Sequence, residues 1–583
     1  MFKKLDPLKP YVYKYRVQFF WGGLVLVLNN VIWIFFPQVI GRAINDLNQG
    51  ITQHKIVTYS LALIGIALAK GMFQFLMRWI LIGISREIEF DLRNDLFLHL
   101  ESLSYSYYQR TRVGDIMARA TNDLNAVRML LGPAIMYTAN TIVFTAGALA
   151  FMLKISPRLT MFAFLPLPAA SILVQYFGRR IHERFERIQA TFSDISARAQ
   201  ENFSGARLVR AYVQEEPEIE LFETANREYI ARSLKLVRLI GMLWPTLEML
   251  LGLAIILVLW LGGREVLLHR MNVGNFVAYN TYMVQLTWPV IALGWVINIF
   301  QRGTASLGRI NEIFSERPDV TDDRVAPDLK EISAIDGDIE FRDLSFSYPT
   351  GSEVLRSIDL RIPAGTSLAI VGPTGSGKST LVSLIPRIYD AAEGSVLIDG
   401  RKITDFPLET LRKNIGFVPQ ETFLFSTSIR DNIAFGTENS SDEDVEAAAQ
   451  AASLAQEIDV FPQGYATVVG ERGLTLSGGQ KQRTAIARAI IRNPRIRILD
   501  DALSSVDTYP EERILNHLRE IMQGRTTIFI SHRVSTVRAA DQIAVLHGGE
   551  IVELGTHEDL LVLNGYYADL YNKQLLEEEL AKV

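Results

Sequence analysis

The 583-residue chain contains no cysteine. That absence excludes a disulfide framework, a thiolate metal site and a cysteine nucleophile, and leaves the compartment open. A strong charge imbalance is also missing: 59 Lys and Arg against 64 Asp and Glu leave a net charge of −5. With a pI near 6.0, nothing in the charge argues for nucleic acid as a partner. The N-terminal stretch MFKKLDPLKPYVYKYR has basic residues but no short apolar region ending in a small-residue cleavage site, so a removed signal peptide is not expected. Charge is scarcest along the first half of the chain. Residues 17–40, 131–153 and 273–300 carry none, a bias hidden by a mean hydropathy of only +0.15.

Six stretches, 17–40, 56–83, 131–153, 159–178, 239–263 and 273–300, are long enough to cross roughly 30 Å of hydrocarbon as helices of about 20 residues. Pro166 and Pro168 in the fourth and Pro245 in the fifth are tolerable where neighbouring helices satisfy the freed carbonyls. The gaps after the second and fourth stretches are long and repeat apolar residues at helical spacing among charges, as in REIEFDLRNDLFLHLESL, so they read as helical extensions. Basic residues collect before the first stretch (Lys3, Lys4, Lys9, Lys14, Arg16) and in both long gaps, which places the termini and those gaps in the cytoplasm. Beyond Phe300 the apolar character fades into the polar, Pro-containing 315–336, and short β-branched runs then alternate with helical patterns. The expected architecture is an α-helical six-span transmembrane domain with long cytoplasmic helical extensions (1–314), a linker (315–336) and an α/β phosphate-loop nucleotide-binding domain (337–583).

The second half carries the chemistry. SLAIVGPTGSGKSTLVSLI is an apolar strand, a Gly-rich loop and a helix, the context in which the pattern G-x-x-x-x-G-K-S means phosphate binding. Gly372, Gly375 and Gly377 let backbone N–H groups curl around phosphate oxygens, with Pro373, Thr374, Ser376 and Thr380 completing the nucleotide-binding stretch. Lys378 would reach the β and γ phosphates and the Ser379 hydroxyl a Mg²⁺ ion. A second apolar run, RIRILDD, ends at Asp500, whose carboxylate can meet that Mg²⁺.

LSGGQKQR, residues 476–483, just ahead of that run, resembles the signature of ATP-binding cassette (ABC) ATPases, and other motifs of the family follow the same order. Tyr348 in FSYPTG resembles the aromatic that stacks on adenine, Gln420 in FVPQ the glutamine that touches metal and membrane domain, SSVD ending at Asp507 the loop joining two ATP sites, and His532 in FISHR the histidine that senses the γ phosphate. Six spans followed by one cassette resemble the half-transporters of the ABC exporter class over the whole chain. The resemblance implies a dimer in which Ser477, Gly478, Gly479 and Gln480 serve the ATP held by the opposite chain, and closure of the cassettes drives the membrane halves from inward- to outward-facing. Segments near 107–123 and 211–222 resemble the coupling helices that dock on cassettes, and TVVGERG, residues 467–473, resembles their partner loop.

In that family the residue after the Mg²⁺ aspartate is usually Glu, which orients the attacking water; here it is Asp501. Its stem is one C–C bond shorter, about 1.5 Å. A misplacement near 1 Å can cost about 10²-fold in rate. This departure resembles the degenerate-site subunit of bacterial heterodimeric multidrug exporters, with a partner supplying the active site's Glu; a slowly hydrolysing homodimer is the alternative. Lys70, Arg78 and Glu248 lie within spans and are candidates to meet cargo, with Trp244, Tyr282, Trp288 and Trp295 as walls. The competing assignment has Arg78 snorkelling, Lys70 and Glu248 paired within the bundle and the tryptophans anchored at the membrane interface. Amphiphilic drugs or lipids are the expected substrates, and a prokaryotic cell membrane the expected location. The fused spans exclude a soluble ABC ATPase and disfavour an importer, while a gated channel or sensor remains a second function class.

Overall fold

The computed structural model describes residues 2–581 apart from 330–333, 349–350, 438, 471–472, 474–475, 503–523 and 532. It divides into two compact units: Met1–Phe97 with Ile116–Phe314, and Leu98–Asp115 with Ser315–Val583.

In the first unit the apolar runs form long helices, as a segment must when lipid offers its backbone no hydrogen-bond partner. These are α1 (Arg16–Asn48), α2 (Gln53–Ser102), α3 (Val113–Ile155), α4 (Pro157–Ala163), α5 (Leu167–Ser204), α6 (Glu215–Leu267) and α7 (Val273–Ser315). Among the described residues five of them, α1, α2, α3, α6 and α7, are long and apolar enough to cross a membrane. The expected fourth span, 159–178, is instead interrupted: α4 stops at Ala163, residues 164–166 form a turn, and α5 restarts at Leu167. Pro166 and Pro168 explain the break. Each lacks an N–H and crowds the preceding turn, a penalty that vanishes when the pair flanks a helix start. Pro37, Pro245 and Pro289 lie inside unbroken helices, and Pro133 sits in a π turn of α3, which absorbs the missing donor.

Close helix approach and buried polar pairs hold this unit together. A Cβ on Gly274 of α7 would fall 1.9 Å from the carbonyl oxygen of Gly41 on α1, so only glycine permits the crossing. There the Gly274 N–H donates to Asn45 Oδ1 at 2.6 Å. Lower on α3, Asp123 accepts from Arg309 Nε and Ser306 Oγ of α7, both at 2.9 Å. The extensions α5 and α6 run antiparallel, tied by Arg184 donating to the Lys235 carbonyl and Asn202 to Glu218, each at 2.8 Å. Their tip covers the segment expected as one helix at 211–222. It is a short helix ending at Ala211, a turn in which Val213 adopts φ 54°, and the start of α6.

The segment 107–123 divides likewise. A short helix Tyr105–Arg110 ends at Thr111, whose backbone is extended, and α3 begins at Val113. Residues 98–115 group with the second compact unit. Their contacts explain this: Arg110 pairs with Glu316 at 2.8 Å, Ser106 donates to Asp319, and the Val320 N–H donates to Ser104 Oγ at 3.0 Å. The linker also departs from a purely polar connection, because Leu329 and Ile335 are buried in the second unit's core.

That unit is built on two sheets. Its strands are β1 (Ile339–Ser347), β2 (Glu353–Ile362), β3 (Ser367–Val371), β4 (Val396–Ile398), β5 (Arg401–Lys402), β6 (Ile415–Val418), β7 (Ile496–Asp500), β8 (Thr526–Ile530), β9 (Gln542–His547) and β10 (Glu550–Gly555). An antiparallel sheet has the order β2-β1-β4-β5; a six-stranded sheet has the order β10-β9-β3-β8-β7-β6, parallel except for the β9–β10 pair. Successive side chains of β3 alternate between two cores. Leu368 and Ile370 join the one shared with the antiparallel sheet, and Ala369 and Val371 the one shared with helices. Those helices include α9 (Ile429–Ala434), α10 (Asp442–Ala451) and α11 (Gly478–Ile490), whereas Leu381 and Val382 of α8 (Lys378–Ser383) join the core shared with the antiparallel sheet. Burial on both faces is why β3, β7 and β8 read as nearly continuous apolar runs.

Candidate functional site

The site lies at the carboxyl ends of the parallel strands, where ligands of open α/β sheets collect. From β3 the chain enters the loop 372–377, and backbone geometry makes its glycines obligatory. Gly372, Gly375 and Gly377 have φ of 150°, 83° and 102°. A Cβ on Gly372 would lie 2.0 Å from the Leu546 carbonyl oxygen, and one on Gly377 2.8 Å from Leu355 Cδ2, whereas Gly375 faces open space. The loop is thus pinned at both ends and open in its middle. Within it the Ser376 hydroxyl is buried and has no hydrogen-bond partner among the described residues, an uncompensated polar group of the kind a phosphate oxygen satisfies.

Lys378 opens α8 and is 7 % exposed. Its ammonium donates to the carbonyls of Gly372 and Pro373 at 2.8 and 2.9 Å, folding over the loop. Burial pulls this ammonium below the usual lysine value, and Asp500 and Asp501 partly offset the shift. The next residue, Ser379, donates to Asp500 Oδ1 at 3.0 Å, although β8 separates β3 from β7 in the sheet. A serine hydroxyl beside a carboxylate is a hard-oxygen donor set, which suits Mg²⁺. Thr380 bonds the Tyr348 hydroxyl at 2.9 Å, so the expected adenine-stacking ring is attached to the phosphate-loop helix. Gln420 is exposed just beyond β6.

Asp501 follows β7 with φ 47°, a left-handed conformation that Asp adopts more readily than most residues. Its N–H donates to the Ile530 carbonyl at 3.1 Å. The Ser477 side chain caps α11 by accepting from the Gln480 N–H at 3.2 Å, while Gln480 Oε1 accepts from the Ser477 N–H at 2.9 Å. This reciprocal box leaves Gly478 and Gly479 in the first turn, at the positive end of a 13-residue helix. His532 and Asp507 lie outside the described residues, as does part of the segment 467–473.

The chain matches the ABC transporter transmembrane region family over residues 19–290 and the ABC transporter family over residues 355–504. It is 37 % identical over 579 residues to a probable multidrug resistance ABC transporter ATP-binding/permease protein of Bacillus subtilis, covering 99 % of this chain and 98 % of that protein. The chain belongs to the ABC transporters. An ATP-dependent lipid A-core flippase of Syntrophus aciditrophicus is 38 % identical over 523 residues, covering 90 % of this chain and 86 % of its own. A bacterial Atm1-family ABC exporter solved with ATP bound superposes with a TM-score of 0.78 at 29 % identity, covering 96 % and 98 % of the two chains. The protein is therefore an integral membrane ABC exporter half, a transport ATPase with a helical membrane domain ahead of an α/β cassette, and it needs a second half to complete it.

Two contacts of this ABC cassette were not read from the motifs, one made by Gln482 inside the signature and one made by Glu457 outside every motif. Gln482 of α11 donates to the Asp501 carbonyl at 3.4 Å, and Glu457 accepts from Gln480 Nε2 at 3.0 Å and also pairs with Arg483. Among the candidates for cargo contact, Lys70 stands over the Trp33 ring at 3.4 Å, while Arg78 and Glu248 are exposed. Tyr282, expected as a cargo wall, is instead fully buried and donates to the Ile34 carbonyl at 2.6 Å. Trp244, Trp288 and Trp295 remain exposed within the single chain.

Proposed function

We propose that this chain is one subunit of a heterodimeric exporter of amphiphilic drugs or lipids, with its termini and cassette in the cytoplasm. Its own phosphate-loop site binds ATP with Mg²⁺ and hydrolyses it slowly. The observation that carries this reading is Asp501, a carboxylate one carbon shorter than the Glu usual in the family, next to Asp500. The printed descriptions of the relatives, multidrug resistance and lipid A-core flipping, support drugs or lipids as cargo.

In this reading the loop N–H groups, Lys378 and the Ser376 hydroxyl hold phosphates, Tyr348 takes the adenine, and Ser379, Asp500 and Gln420 hold Mg²⁺. Bound there, Mg²⁺ supplies neutralisation of charge across the β and γ oxygens. The same reading gives Asp501 the attacking water beside the γ phosphate, and gives His532 and Asp507 the roles their motifs resemble, sensing the γ phosphate and joining the two ATP sites. Ser477, Gly478, Gly479 and Gln480 serve the partner's nucleotide. Since positioning dominates phosphoryl transfer, the short reach of Asp501 limits turnover and leaves binding intact.

The test is ATP turnover by the assembled transporter in lipid nanodiscs. Asp501→Glu is expected to raise turnover at this chain's site by at least about tenfold, and Asp501→Asn to change total turnover little. Brisk hydrolysis by the chain purified alone, abolished by Asp501→Asn, would overturn the proposal.

A further inference from the structure

Tyr389 lies six residues beyond α8 and belongs to none of the motifs. It is 8 % exposed, and its neighbours lock its backbone in place. Arg387, fully buried with φ 50°, donates through Nε and Nη2 to both oxygens of Asp390 at 2.8 Å, and its Nη2 also donates to the Thr321 carbonyl at 3.2 Å. The Tyr389 ring stands edge-on to Tyr348 at 5.2 Å and 83°, and edge-on to Tyr105 at 6.1 Å and 73°. Phe346 packs against both Tyr348 and Tyr389, at 5.2 and 6.0 Å. The Gln109 side chain hydrogen-bonds the Tyr389 hydroxyl, and burial holds that hydroxyl neutral far above the usual tyrosine range.

We propose that Tyr389 is a positioning residue that passes the docking of a nucleotide base on Tyr348 to the helix Tyr105–Arg110. This rests on the reading of Tyr348 as the adenine platform. Tyr348 is bonded to Thr380 on the phosphate-loop helix, so base and phosphates bear on one ring. Phe346 is 8 % exposed and packed too densely to yield. A shift of the Tyr348 ring therefore bears on Tyr389, which in turn meets Tyr105 and Gln109. Tyr105 is 54 % exposed, so its ring is less hemmed in than Phe346. Its helix is tied to residues 316–320 through Arg110, Ser106 and Ser104, so motion of the rings is delivered to the segment that enters the cassette. Packed side chains on facing elements, Tyr348 against Tyr389 and Tyr389 against Tyr105, are the kind of chain through which energetic coupling is carried.

The chain has no cysteine, so an introduced cysteine is the one thiol on this chain, and labelling is read on this chain after it is separated from its partner. Val113→Cys, at a 64 % exposed position, is introduced into the dimeric transporter in lipid nanodiscs, and its maleimide labelling rate is measured with and without a non-hydrolysable ATP analogue. The nucleotide is expected to change the rate about 2- to 30-fold. Tyr389→Ala and Tyr105→Ala should each abolish that change while leaving analogue affinity as in the parent. Tyr389→Phe, which keeps the ring, should preserve it. Tyr105 is exposed, so its variant reports even where Tyr389→Ala folds poorly. A nucleotide response that survives both alanine variants overturns the relay. Tyr348→Ala separates the two readings: unchanged analogue affinity there defeats the adenine platform itself, whereas weakened affinity with a response intact in Tyr389→Ala defeats the relay alone.

Discussion

Lys378 shows how a single side chain joins folding to function. Its folded-state pKa lies below the free value of 10.5 because it is buried. Between the two values the unfolded chain binds more protons than the folded one, so the nucleotide-free cassette gains stability as pH rises through that alkaline window. ATP affinity runs the other way, falling as the ammonium is lost. Titration with a fluorescent ATP analogue should show affinity declining at a lower pH than an ordinary lysine would give, and Lys378→Arg should remove that decline. Lys378→Ala should lower affinity by about 10- to 100-fold at neutral pH, the worth of a charge-assisted hydrogen bond; unchanged binding would argue against the phosphate role.

Among elements, the loop 372–377 and the start of α11 make contrasting predictions. Gly372→Ala drives a Cβ to 2.0 Å from the Leu546 carbonyl, adding about 1–3 kcal/mol of overpacking to left-handed strain. Gly375→Ala meets open space at φ 83° and carries only about 1–2 kcal/mol of strain. Thermal unfolding of the transporter should rank them in that order, and equal midpoints would contradict the geometry. Ser477→Ala removes the cap of α11 at about 1 kcal/mol and should slow turnover at the opposite site more than at this one, as read by nucleotide trapping. These elements were legible in the sequence because their signals are local: glycines at fixed spacing, a hydroxyl before a helix, a β-branched run ending in Asp. The break at residues 164–166 was not, since Pro245 sits in an unbroken helix and Pro166 does not. Whether a proline kinks or ends a helix is decided by its neighbours. The burial of Tyr282 depends in the same way on Ile34, 248 positions away.

For the whole molecule, the chain alone should bind ATP and hydrolyse it slowly, and co-purification with its partner half should raise turnover about 10²-fold, the penalty a 1 Å misplacement carries. Equal rates per cassette in both preparations would favour a homodimer. Composition and order of residues by themselves determined the two-part plan, the membrane character of the first part and the nucleotide chemistry of the second, because hydrophobic length and phosphate-loop spacing act through neighbours along the chain. Only the tertiary structure decided that residues 98–115 join the cassette unit, that Ser379 reaches Asp500 across an intervening strand, and that Tyr389 stands between Tyr348 and Tyr105. Each depends on strand order and on packing between residues far apart in sequence, and no local pattern of residue types encodes such a distance.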